Sequence, residues 1–212
     1  MYWLAAFAVW TVLVRFVDVQ AIGPRGSEVG MATLNGWFHG VTGVNMTLYT
    51  VTDWLGLLPI GVAFGFGILG LVQWIRRRSL WSVDRDVLAL GGFYFVVMAS
   101  YLLFETVVIN YRPVLIDGYL EASYPSSTTM LVLCVIPTAI LQYRARIRHR
   151  AVRLGTILVL AAFAALMVIA RLISGVHWLT DIIGGTLLSA GLVTLYAAVA
   201  RHVGGVSGNL PV

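Results

Sequence analysis

The 212-residue chain contains no lysine, one cysteine and few charges, and each scarcity narrows what it can be. Charged residues make up 11% of the chain and hydrophobic ones 59%, with a mean hydropathy of +0.89. A soluble domain carries roughly 25% charge, so a water-surrounded globule is excluded and a polytopic membrane protein is indicated. Cys134 stands alone in an apolar run, which excludes an internal disulfide. The lack of a second cysteine and of a histidine pair at ligand spacing argues against a zinc site. No glycine pattern of a nucleophile elbow surrounds any serine, which argues against acyl hydrolysis by a Ser/His/Asp triad. Nor does the start resemble a secretory signal with a charged n-region, so the first apolar run is read as a retained helix.

All fourteen basic residues are arginine, and their placement is informative. Arg76, Arg77, Arg78 and Arg85 form one cluster, Arg144, Arg146, Arg148, Arg150 and Arg153 a second, and Arg201 follows the last apolar run. The net charge of +5 is therefore not a nucleic-acid groove, because short basic clusters between apolar runs mark cytoplasmic loops.

Six runs are long enough to be read as membrane helices: Tyr2 to Val17, Trp54 to Ile75, Val87 to Asn110, Met130 to Tyr143, Leu154 to Ile173 and Ile182 to Ala200. The expected fold is thus all-α, one domain over residues 1–212, a bundle of six transmembrane helices with an outer interfacial helix. That outer helix is expected in the loop of residues 18–53, where Met31, Leu34, Trp37, Phe38 and Val41 recur at helical spacing. The Gly61/Gly65 and Gly185/Ser189 pairs read as helix-packing contacts. The arginines place both termini in the cytoplasm of a plasma membrane, read as bacterial. They put the ends of the spans that carry Arg112 and Arg171 outside.

Three polar blocks fall at those outer ends: Glu105 through Arg112-Pro113, then Tyr124 through Thr129, then Arg171 through Asp181. Ionisable groups inside membrane segments are costly, about 2.5–3.5 kcal/mol each near a helix centre, so they commonly line functional sites or pair with one another. Arg112, before a proline, is expected to mark the exit of the third span. Ser126, Ser127 and Thr128 are expected at a helix N-terminus, where hydroxyls and free N–H groups receive anions. His177 and Asp181 are four apart, so on a helix they share a face, and Asp181 can accept from one imidazole nitrogen and free the other as a nucleophile or base. Arginine forks, hydroxyls and an oriented histidine are the parts of phosphoryl transfer.

These blocks resemble the type-2 phosphatidic acid phosphatase superfamily, whose members are six-helix lipid phosphatases working without metal, with soluble vanadium haloperoxidases as relatives. The motif resemblance spans residues 105–181. It implies that His177 forms a phosphohistidine, that Asp181 orients it, and that Arg112, Arg171 and Ser126 hold the phosphate oxygens. It implies no cofactor and a membrane lipid substrate in the bilayer; the sequence is silent on oligomeric state. The chain departs from the family in all three blocks. Glu105 stands where the family has lysine, Ser127 where it has glycine, Thr128 where it has the histidine that protonates the leaving group, and Ala170 where it has serine. Glu105, seven residues before Arg112, is then either a substitute proton donor or an ion-pair partner of Arg112 or Arg171. Alternatively the substrate is a diphosphate, whose departing phosphate needs little protonation. A non-enzymatic reading is a protein that binds or moves a phosphorylated lipid.

Overall fold

The structure, a computed structural model, describes residues 2–203. Eight α-helices follow one another: α1 (Tyr2–Phe16), α2 (Ala32–Thr42), α3 (Met46–Leu55), α4 (Leu57–Arg77), α5 (Arg85–Thr106), α6 (Ser127–Arg146), α7 (Arg150–Ile173) and α8 (Leu179–His202). The protein is all-helical, as its apolar runs require, because a spanning segment must satisfy its backbone internally.

Five segments are long and apolar enough to cross a membrane: the combined α3–α4 stretch of 32 residues, then α5, α6, α7 and α8. The first of the six expected spans, α1, has only 15 residues. At 1.5 Å per residue it reaches about 22 Å, short of the roughly 30 Å hydrocarbon core. It nevertheless lies in the bundle, antiparallel to α8: the Trp10 indole donates to the Thr180 carbonyl, while Leu4 sits against Gly191.

Helix α8 is central, packing against α1, α2, α5, α6 and α7. It runs parallel to α6, since Ser189 donates to the Met130 carbonyl near one end and Gln142 to the Tyr196 hydroxyl near the other. The expected small-residue contact at Gly185 and Ser189 lies on this seam, where a Cβ at Gly185 would come within 3.1 Å of the Ser126 carbonyl oxygen. Gly61 and Gly65 differ: both are exposed, and a Cβ on either would meet nothing within 4 Å, so that pair makes no helix contact among the described residues. Pro137 falls inside α6, and the Thr138 hydroxyl bonds back to the Cys134 carbonyl beside it.

The outer segment forms its expected helix as α2, with Trp37 and Val41 exposed on it and Asn35 turned inward. The opposite end of the bundle carries the arginine clusters. There Arg146 pairs with buried Asp86 at 2.8 Å and Arg77 with Asp84 at 2.7 Å, tying loop ends to helices. Arg77 is also the main reason the Asp84 carboxyl is held below its usual range.

Candidate active site

The C-terminal ends of α1, α5 and α7 meet the N-terminal ends of α3, α6 and α8 at one end of the bundle, and all three polar blocks converge there. The Ser126 N–H donates to the Asp181 carbonyl at 3.1 Å, joining the second block to the third. The loop between α5 and α6 folds back on itself: the Arg112 N–H donates to the Glu121 carbonyl and the Ser123 N–H to the Asn110 carbonyl. Tyr124 anchors this loop, its ring packed so close to α8 that a Cβ at Gly184 would lie 2.5 Å from it.

His177 lies in the short loop before α8, not on the helix, and its ring is buried. Its Nε2 stands 3.4 Å from Arg112 Nη1, and its Nδ1 stands 3.2 Å from the Ser123 hydroxyl. The expected direct partner, Asp181, is at 3.6 Å from Nδ1, longer than a hydrogen bond. Asp181 Oδ2 instead accepts from Ser123 Oγ and, at 2.9 Å, from the Trp178 N–H, which closes the first turn of α8. Ser123 was invisible to sequence reasoning, because nothing local marks a loop serine as the neighbour of a histidine 54 residues later.

Arg171 is fully buried. Its Nη1 donates to the Tyr49 carbonyl at 3.2 Å and the Thr52 hydroxyl at 3.0 Å, and its Nη2 to Asp53 at 3.2 Å. Both guanidinium groups lie over the Tyr49 ring, Arg171 at 4.6 Å from its centre and Arg112 at 5.8 Å, within cation–π reach. Arg112 Nε is 3.1 Å from the Glu121 carboxylate, but its N–H is not aimed at it. Arg171 Nε also lacks a hydrogen-bond partner although buried. The site thus holds two buried cations with unspent N–H groups, and a buried unpaired donor costs about 1–3 kcal/mol unless something satisfies it.

The remaining candidates are placed differently. The Ser126 hydroxyl is buried and accepts from the Thr129 N–H at 3.5 Å, so it caps α6. Ser127, half-buried, lines a cavity, and Thr128 rests against Gly56. Glu105 does not pair with either arginine; their carboxylate partners are Glu121 and Asp53. The reason is that α5 ends at Thr106, whose hydroxyl bonds back to the Leu102 and Leu103 carbonyls, so the seven residues from Glu105 to Arg112 are not two helical turns. Glu105 is exposed and lines a small pocket with Tyr101, Ser123 and Ser127. Of the other histidines, His39 packs at a tilt against Trp178 with ring centres 5.4 Å apart, His149 caps α7 and His202 ends α8.

Burial first, and then the charges of Arg112 and Arg171, hold the His177 pKa well below its ordinary 6.5. The imidazole is therefore neutral at pH 7, as a nucleophile must be. The same shift bears on stability. Below pH 6.5 the unfolded chain binds a proton at this residue and the native one does not, so stability is lost as pH falls from 6.5 toward the lowered value and is unaffected above it. Between about pH 7.5 and about pH 5.5, His177→Gln should lose less melting temperature in detergent than the wild type. His39, also lowered by burial, acts with the same sign in both proteins.

A family model of the PAP2 superfamily matches residues 3–203, and the chain belongs to that superfamily. The fold is similar to the crystal structure of the first transmembrane PAP2 type phosphatidylglycerolphosphate phosphatase from Bacillus subtilis. The TM-score is 0.52 and the identity 16%, over 95% of each chain. No curated protein sequence gives a significant match.

Proposed function

We propose that the protein is a membrane lipid phosphatase that works through a covalent phosphohistidine at the non-cytoplasmic face. The observation that carries this reading is the meeting of His177 Nε2 with Arg112, while Arg171 lies across the Tyr49 ring and both guanidinium groups keep a buried, unpaired Nε–H. A tetrahedral dianion would satisfy those donors bidentately. Membership of the PAP2 superfamily supports the same chemistry. The arginine clusters at the other end of the bundle support the orientation, since such clusters stay on the cytoplasmic side.

In the first step His177 Nε2 attacks phosphorus, the P–N bond forms as the bond to the leaving oxygen breaks, and the arginines take up charge on the remaining oxygens. Water then attacks the phosphohistidine, releasing phosphate and restoring the neutral imidazole. An apolar cavity of about 350 Å³ between α4, α5 and α6, lined by Ile60, Val97, Met98 and Leu131, reaches Ser127 and Thr128 at the site end and would take part of the lipid chain.

Thr128 supplies no acid for a departing alkoxide, which favours a polyprenyl diphosphate over phosphatidate because a phosphate leaves without protonation. For a monoester the candidate donor is Glu105, free of both arginines. Purified protein in detergent should therefore release phosphate faster from a polyprenyl diphosphate than from a phosphatidate, and equal rates would remove the diphosphate preference. Release from neither lipid, with binding of both retained, would replace the enzyme by a lipid-phosphate binding protein.

A further inference from the structure

We infer that Ser123 is the positioning residue for His177, passing the orienting influence of Asp181 to the imidazole through its own hydroxyl. The spacing of His177 and Asp181 suggests a direct pair, yet Nδ1 and Oδ2 are 3.6 Å apart. Ser123 Oγ lies between them, 3.2 Å from Nδ1 and donating to Oδ2. Ser123 is itself buried, and its backbone is held by the bond from its N–H to the Asn110 carbonyl at 2.9 Å.

The direction of each bond follows from what each group can do. An ionised Asp181 only accepts, and in that state the single hydroxyl proton of Ser123 goes to it. The serine oxygen is then left with lone pairs only, and it accepts a proton from His177. Nδ1 must therefore carry the imidazole hydrogen. On the other side of the ring the same answer is reached independently. Arg112 has donors and no acceptor, so Nε2, 3.4 Å from Nη1, has to offer its lone pair. Two neighbours from the loop between α5 and α6 thus select one tautomer, with the free lone pair facing the arginine that would hold the phosphate.

Without the hydroxyl, the 3.6 Å gap between Nδ1 and Oδ2 leaves Arg112 as the one side-chain group still favouring that choice. The alternative tautomer, with hydrogen on Nε2, has no nucleophile facing Arg112. Ser123→Ala should accordingly lower the rate of chemistry and leave substrate affinity nearly unchanged, because Ser123 touches the histidine and not the substrate. Partners that orient a metal-bound histidine typically account for about tenfold to a hundredfold in affinity or activity, and a loss of that order is expected here. Ser123→Thr keeps the hydroxyl and should keep most of the rate.

The kinetic arm rests on the phosphohistidine reading, so the deciding measurement is one that does not need turnover. In full-length protein with 15N-labelled histidine, the His177 nitrogen shifts, identified by their loss in His177→Gln, report which ring nitrogen is protonated. The wild type and Ser123→Thr should show protonated Nδ1 and unprotonated Nε2, and Ser123→Ala should show a mixture of the two tautomers. An unchanged Nδ1–H signature in Ser123→Ala would overturn the inference whether or not the protein releases phosphate. With an active wild type, a fall in kcat of about tenfold or more in Ser123→Ala with KM held, restored in Ser123→Thr, would agree with it. A fall in Ser123→Ala through KM alone would also overturn it.

Discussion

His177→Ala should abolish phosphate release, a loss on the order of 10⁴-fold or more, while leaving lipid-phosphate binding largely intact. No neighbouring group can stand in for the ring. The Ser123 proton is committed to Asp181, and the Ser126 hydroxyl caps α6. The arginines proposed to hold the anion do not depend on the imidazole: Arg171 is fixed by Tyr49, Thr52 and Asp53 on α3, and Arg112 by the Glu121 carbonyl and the Tyr49 ring. The variant should therefore still bind a non-hydrolysable lipid phosphonate with nearly wild-type affinity. Release at more than about a tenth of the wild-type rate would assign the nucleophile elsewhere, since removing a covalent nucleophile costs far more.

Gly175→Ala should lose about 2–5 kcal/mol of stability. Gly175 has φ +67, and a Cβ built there would lie 1.7 Å from the Gly43 carbonyl oxygen, a backbone atom that cannot rotate away. The close approach exists because the Asn45 N–H donates to the Ser174 carbonyl at 2.8 Å, which pins the turn between α2 and α3 against the loop that carries His177. Forcing these apart would also pull Tyr49, Thr52 and Asp53 from Arg171, so activity should fall along with melting temperature. Gly43→Ala is the control. Its φ of +60 and ψ of −156 fall where essentially glycine alone is comfortable, but a Cβ there meets nothing within 4 Å, so backbone strain of about 1–3 kcal/mol with no clash is expected. Equal melting temperatures for the two variants would show that the contact is not what holds the turn.

Much of this was legible in the chain because membrane helices are written as long apolar runs, and the polar interruptions at Arg112, Arg171, His177 and Asp181 stand out against them. What escaped was set by non-local contacts. Spacing put His177 and Asp181 on one helix face, yet α8 begins at Leu179, and Asp181 spends its carboxylate on the helix start and on a serine from another loop. Spacing likewise put Glu105 below Arg112 on a continuous helix that in fact stops at Thr106. The partners of Arg171 had a signal that could have been read: Tyr49, Thr52 and Asp53 fall at i, i+3 and i+4, a polar stripe on one face just before an apolar span.

The parallel run of α6 and α8 brings two helix N-termini together beside His177, a pairing that peptide dipoles by themselves disfavour. Each terminus carries the equivalent of roughly half a positive charge. The site therefore sits in an electric field built from main-chain amides as well as side chains. That part of the attraction for any anion cannot be titrated, and no single side-chain substitution can delete it.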